Sequence, residues 1–354
     1  MDPRPTILVT GATGFIGGWI VETLHLTGRA RPRAGIRTWT RAARLGRFPV
    51  DIAPCDVLDR EQIEAAMQDA PIVVHCAIGS RDVIVEGTRN MLAVAESMGV
   101  KRFVHLSTTE VYGEVSGDVD ESCPYRWTGQ EYNASKIEAE QVVWEYAKKG
   151  VPVTVLRPPI VYGPFGKDFT LRIAHRLESG QWGVFEGIGG GMCNLIYVTD
   201  VVAAVMLAAE DDAAVGEAFN INGPEAITWN EYFERFNEAL GLPPQRTIGV
   251  NHLRLRAIVM EAARAGAKSI LTRFERPIKA LYKQSSLVRS RAVQFEKSVI
   301  STPRLAELNL YNRQARYRDA KARTLLGYRP RVDIDTGLEL SVRWIRHLGI
   351  EAFM

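Results

Sequence analysis

Thr6-Ile7-Leu8-Val9-Thr10-Gly11-Ala12-Thr13-Gly14-Phe15-Ile16-Gly17 is the stretch that decides the fold. A β-branched apolar run ends on a hydroxyl, three glycines follow at three-residue intervals, and a helical pattern opens at Gly17 and runs to residue 27. That order predicts a strand, a tight turn and a helix whose first amides face an anion. Gly11 makes the turn, Gly14 lets the backbone approach a phosphate, and Gly17 lets the helix lie on the strand. Three glycines alone predict only a tight turn, so the flanking strand and helix carry the phosphate reading.

Outward from it, strands are expected at 33–38, 50–53, 72–76, 103–107 and 153–157, with helices at 61–70, 86–98 and 131–149 between them. Short apolar runs flanked by Gly, Asp or Ser mark strands buried on both faces, and their alternation with crossover-length helices specifies an α/β fold with a doubly wound parallel sheet. After Gly163-Pro164 the pattern loosens, returning to a helix at 200–209 and a strand at 218–222 before Pro-containing and basic segments follow. Residues 1–163 with 195–222 are therefore assigned to a nucleotide-binding domain. Residues 164–194 with 223–354 form a smaller, discontinuous C-terminal substrate lobe carrying a basic helical insertion at 251–298.

The chain has 354 residues, 46% hydrophobic and 24% charged, the balance of a folded soluble protein. Met1-Asp2-Pro3-Arg4-Pro5 leads straight into the first strand without a charged and apolar leader, and the run 201–209 falls far short of the roughly 20 residues needed to cross a bilayer. A cytoplasmic protein is expected. Cys55, Cys76, Cys123 and Cys193 lack CxxC spacing and nearby histidine pairs, which argues against a disulfide framework or a metal site. A net charge of +3 gives no reason to expect a nucleic-acid partner.

The second strand is expected to end near residues 36–39, where an acidic side chain would hold the ribose hydroxyls of NAD. Arg37 stands there instead, with Arg41 and Arg44 following, and a guanidinium grips a 2′-phosphate by paired charge-assisted bonds. NADP is expected rather than NAD, although Arg41 and Arg44 also suit a solvated helix face. Asp56 and Val57 are placed to hold an adenine edge through a carboxylate and an amide, and Asp56 is equally suited to cap a helix. Tyr132 and Lys136, four apart on a helical pattern, emerge on one face. A phenol exchanges protons poorly at neutral pH, and a neighbouring ammonium favours its ionised form. Ser107-Thr108-Thr109 closes a strand and offers hydroxyls to a substrate oxygen.

With these motifs in order, the chain resembles the extended short-chain dehydrogenase/reductases, the NAD-dependent epimerase/dehydratase family of Rossmann proteins. The resemblance runs from Thr6 to Asn222 through the glycine turn, His75-Cys76-Ala77, Val85-Glu86-Gly87-Thr88, Ser107-Thr108-Thr109-Glu110-Val111-Tyr112-Gly113, Tyr132-Asn133-Ala134-Ser135-Lys136, Leu156-Arg157-Pro158, Tyr197-Val198-Thr199-Asp200 and Phe219-Asn220-Ile221-Asn222-Gly223. It implies Tyr132 as acid/base, Lys136 as its modulator and Thr108 as the third catalytic member. It also implies a cofactor held by Gly11, Thr13, Gly14, Phe15, Ile16, Gly17, Cys76, Ala77, Ser107, Pro159 and Ile160, and a homodimer.

Family members that bind nucleotide-diphospho-sugars carry an asparagine where this chain has Ile160 and an arginine where it has Cys193. Sugar dehydratases carry an Asp-Glu pair where this chain has Thr109-Glu110. These departures favour a keto or hydroxy small molecule without a diphosphate, unless Arg172 or Arg176 replaces the missing arginine. Segment 251–298 holds eleven basic residues against Glu261, Glu275 and Glu296, with Leu253, Leu255, Ile258 and Val259 interleaved. That pattern suits either a lid or dimer arm with a solvated basic face or contact with an anionic membrane surface. His75 and His105 read as satisfied core residues and Asp200 as a helix cap. Three functions stay open: an NADP-dependent carbonyl reductase or alcohol dehydrogenase, a nucleotide-sugar epimerase using tightly held cofactor, and a non-catalytic NADP-binding regulator.

Overall fold

Ile7 and Val9 turn to one face of strand β1 (Thr6–Thr10), Leu8 turns to the other, and all three are buried. A strand covered on both faces belongs in the middle of a parallel sheet. The computed structural model of the chain describes residues 3–273 and 301–349. From β1 the chain runs through helix α1 (Phe15–Thr27), β2 (Arg31–Ile36), β3 (Asp51–Pro54), α2 (Arg60–Met67), β4 (Ile72–His75), α3 (Arg81–Met98) and β5 (Arg102–Leu106). It continues through α4 (Glu131–Ala147), β6 (Val153–Arg157), α5 (Val198–Glu210) and β7 (Glu217–Asn220). The sheet order is β7-β6-β5-β4-β1-β2-β3, with every pairing parallel. The order reverses between β1 and β4, and a crevice beyond the carboxyl ends of strands at such a reversal is where this architecture receives ligands.

Two cores sandwich the sheet. On one face Ile20 and Leu24 of α1 and Val201 and Val205 of α5 pack on Ile7, Val9 and Val104. On the other, Ile63 of α2, Met91 and Leu92 of α3 and Val143 of α4 pack on Leu8, Val73 and Phe103. Helix α2 is capped by Asp59, whose carboxylate accepts the Gln62 N–H at 3.2 Å. Asp56 is therefore not the cap, and its carboxylate instead accepts the Leu58 N–H at 3.1 Å in a local turn.

The chain falls into two compact units, the first comprising residues up to Tyr162, Asn194–Glu225 and Ala315–Ile334, the second Gly163–Cys193, Ala226–Gln314 and the residues from Asp335 onward. Residues 315–334, expected in the substrate lobe, thus pack in the first unit. Strand Ala315–Tyr317 pairs in parallel with Gly117–Val119, and Tyr328 is fully buried with its hydroxyl donating to the Asn222 carbonyl at 2.9 Å. Asp200 belongs to the same junction and not to a helix cap. It lies inside the first turn of α5, where its carboxylate accepts the Arg331 and Val332 N–H groups at 3.0 and 3.2 Å.

The second unit is centred on aromatic packing among Trp182, Phe185, Trp229, Phe233 and Tyr311. Arg176 is buried beside this cluster, paired with Glu307 at 2.8 Å and lying over the Trp182 ring at 4.4 Å. Of the basic segment, residues up to 273 continue the helix Val250–Arg273, and residues 274–300 lie outside the described residues.

Candidate active site

The turn after β1 is shaped so that side chains are excluded from it. Gly11 has φ of 65°, and a Cβ there would meet the Cys76 carbonyl oxygen at 2.7 Å. A Cβ on Gly17 would lie 2.4 Å from the Gly11 carbonyl oxygen, so only glycine lets α1 start this close to the strand. Gly14 is the N-cap of α1 without a side-chain cap, and no acidic residue occupies the first turn. The first amides of α1, on Phe15, Ile16 and Gly17, are left as donors for an anion. This cradle of glycine and free amides fits a dinucleotide pyrophosphate.

Arg37 follows directly on β2, exposed and, among the described residues, without a hydrogen-bond or ion-pair partner. Arg41 is also exposed. Arg44 is otherwise engaged, pairing with Glu22 at 2.8 Å and lying 5.1 Å over the Trp19 ring. Val57 is buried, its side chain set against Gly87 and its carbonyl accepting from Asn90 at 3.2 Å, while Asp56 stays half-buried beside it.

The end of β5 and the start of α4 bring the catalytic candidates together. Thr108 caps the turn Thr109–Tyr112, its hydroxyl oxygen accepting the Glu110 N–H at 3.2 Å and also bonding the Tyr132 phenol. Tyr132 is 40% exposed, with Thr108 and Glu110 beside its hydroxyl. Loss of solvation and the charge of Glu110 push the phenol up to about 12, against the pull of the Thr108 bond. Lys136 is buried, and its ammonium donates to the Leu106 carbonyl at 2.8 Å. Burial lowers it to about 8, with Glu140 opposing the fall. Lys136 is expected to draw the phenol down, but its ammonium is directed to the end of β5 and the phenol is shifted up.

Sequence reading missed the group beneath this pair. Glu140, one turn beyond Lys136 and fully buried, pairs with Arg157 at 2.6 Å and accepts from the hydroxyls of Ser107 and, at 2.9 Å, Tyr125. Arg157 also donates to the Tyr112 hydroxyl at 2.8 Å, which in turn donates to Asn220 at 2.7 Å. The network ties together the ends of β5, β6 and β7 and helix α4. The available signal was an acid four residues past Lys136 together with an arginine inside a buried strand. Ser107 thus spends its hydroxyl on Glu140.

His75 is the satisfied core residue expected: Thr88 already donates to the Ile84 carbonyl, so His75 Nε2–H donates to Thr88 at 3.1 Å and Nδ1 accepts from Thr10 at 2.8 Å. His105 is buried too, but among the described residues neither ring nitrogen has a hydrogen-bond partner, contrary to expectation. Burial and the Lys136 charge hold it neutral, well below its ordinary range. Ile160 begins strand Ile160–Tyr162, and Cys193 is a buried thiol in strand Met192–Cys193. The two arginines named as replacements for a missing phosphate ligand are both paired with acids, Arg176 with Glu307 as above and Arg172 with Asp168 at 3.3 Å and Glu307 at 3.7 Å. Among the described residues no cluster of potential metal ligands occurs, and no helix is long and apolar enough to cross a membrane.

Residues 7–222 match the NAD dependent epimerase/dehydratase family. "Sterol demethylase protein B" of Methylococcus capsulatus is 31% identical over 258 residues, 68% of this chain and 76% of that protein. UDP-glucose 4-epimerase of Vibrio cholerae is 26% identical over 258 residues, 67% of this chain and 76% of its own. In fold the chain resembles dTDP-glucose 4,6-dehydratase from Bacillus anthracis in complex with NAD, with a TM-score of 0.72 and 20% identity over 98% of each chain. A match that takes in the glycine turn, the strand-end threonine and the Tyr132–Lys136 pair identifies the chain as a member of the NAD dependent epimerase/dehydratase family.

Proposed function

We propose that this protein is an NADP-dependent reductase or alcohol dehydrogenase acting on a keto or hydroxy small molecule that lacks a diphosphate. The observation that carries it is the Thr108–Tyr132–Lys136 arrangement, with the phenol held protonated beside the threonine hydroxyl. When bound, the nicotinamide gives or takes the hydride. Tyr132 then delivers its proton to the oxygen of a carbonyl as that oxygen gains negative charge, and in the reverse direction it takes the proton from the alcohol. Thr108 orients the same oxygen and stabilises the developing charge. Lys136 stands one turn behind, its ammonium favouring the phenolate once the proton has left. Arg37, with no acid at the end of β2, supports the 2′-phosphate of NADP as the nucleotide. The buried pairing of Arg176 with Glu307, and that of Arg172 with Asp168, support a substrate without a diphosphate. A homodimer belongs to the same proposal, and sedimentation velocity tests it.

A second reading, nucleotide-sugar epimerase with tightly held cofactor, is favoured by the relatives, several of which are named 4-epimerases. It uses the same residues. The regulator reading has less support, because mere binding has no use for a Thr–Tyr–Lys set. The deciding experiment follows NADPH absorbance with a panel of sterol-like and 3-oxo carbonyl compounds, beside product analysis with UDP-glucose. Net oxidation of NADPH by a carbonyl compound is the expected result. Isomerised UDP-sugar without cofactor turnover would overturn the proposal in favour of the epimerase.

A further inference from the structure

Among its described side chains, helix Val250–Arg273 has two apolar faces, one buried and one exposed. Leu253 and Ala257 are buried against the second unit, with Arg256 reaching Gln181 at 3.1 Å and Thr302 at 3.2 Å. The one acidic residue of the helix, Glu261, accepts the Leu305 N–H at 3.1 Å on this inner side. On the opposite side Leu255, Ile258 and Val259 stand 63%, 55% and 60% exposed. Their spacing of three and four residues puts them in one ridge, and Arg254, exposed, borders it. A solvated helix face would carry polar residues at these positions.

We propose that this ridge docks the protein on an anionic phospholipid surface. Three aliphatic side chains with no polar atom among them suit an acyl boundary, and the surrounding charge suits the headgroups. Arg254 borders the ridge, and in sequence the segment 251–298 carries eleven basic residues against three acidic ones, of which Glu261 is already engaged. Such a balance opposes a second copy of the same face, since two copies would set arginine against arginine, and it attracts an anionic bilayer. Docking would let a lipophilic substrate pass from the membrane to the protein, and so this inference rests on the reading of a keto or hydroxy substrate without a diphosphate and narrows it to a lipophilic one.

Sedimentation of the full-length protein with phosphatidylglycerol–phosphatidylcholine vesicles, against pure phosphatidylcholine vesicles, tests it without any turnover. Pelleting with the anionic vesicles at low salt is expected, weakening as salt is raised. The Leu255→Asp/Ile258→Asp/Val259→Asp variant should bind about a hundredfold more weakly at unchanged thermal stability, because the three positions already face solvent. Absence of pelleting overturns the proposal, as does equal pelleting of wild type and variant. So does a change in oligomeric state of the variant without lipid, which would make the ridge a protein contact. NADPH turnover with a water-soluble ketone is measured on the same samples, so a failure to bind lipid is distinguished from a failure of the reductase reading.

Discussion

At the level of single residues, Lys136 combines a catalytic assignment with a cost to the fold. Its folded pKa is depressed to about 8, below that of an unfolded lysine. Between those two values the unfolded chain binds more protons than the folded one, so the contribution of this group to stability rises with pH, and at pH 7 the buried ammonium is a burden. Lys136→Met is expected to raise the unfolding midpoint at pH 7 by roughly 1–2 °C, the shift that about 1 kcal/mol produces in a protein of this size, while abolishing turnover. Calorimetry at pH 7 checks this, and a lower midpoint would contradict it. Glu140 behaves oppositely. Its replacement by Gln strands the Arg157 charge in the interior, at a cost of about 3–5 kcal/mol in urea unfolding. The double change Glu140→Leu/Arg157→Leu should cost clearly less, because it leaves no unpaired charge. Arg37→Ala should lower kcat/KM with NADPH at least tenfold, about the 1.4 kcal/mol of one lost phosphate bond, and leave NADH nearly unaffected. Steady-state assays with both nucleotides measure that difference.

Among the elements, the glycine turn is the most demanding. In Gly17→Ala the new Cβ lies 2.4 Å from the Gly11 carbonyl oxygen, so the turn must shift and its amides lose their aim. Cofactor affinity by titration calorimetry is expected to fall at least tenfold, whereas Gly46→Ala, whose Cβ meets nothing within 4 Å, should leave it unchanged. The turn, α1 and the seven sheet strands were legible in the sequence, most clearly where a strand covered on both faces writes its burial as a local apolar run, as 153–157 did to the residue. Their ends were less so: β2 stops at Ile36 and not at residue 38, because its register is set by β1 and β3. Two-residue strands such as Met192–Cys193 carry no such signal, since their pairing with Ile227–Thr228 depends on a partner far along the chain. The same holds for the site. Tyr132, Lys136 and Thr108 are visible through spacing and order, while the Glu140–Arg157–Tyr112–Asn220 network joins residues whose separation in sequence conceals their contact.

Over the whole molecule, chain order and packing order differ. The first unit draws on three separate stretches, and its last contribution comes from Ala315–Ile334. Tyr317 stacks on Tyr112 at 5.9 Å, Leu326 and Tyr328 enter the core containing α1 and α5, and Asp200 holds the backbone at 331–332. A chain ending at Gln314 would leave those positions open to water. It is expected to lose cooperative unfolding by circular dichroism and to bind no dinucleotide, even though it retains the glycine turn and the Tyr132–Lys136 pair. Retained binding would show that the first unit closes without them. Tyr328 therefore sets a schedule as well as a contact: while the protein is being made, β1 emerges long before the segment Ala315–Ile334 that completes its surroundings. Until that segment has emerged, the part of one core that Ala322, Leu326 and Tyr328 fill stays open to water, although α1 to α5 already cover both faces of the sheet.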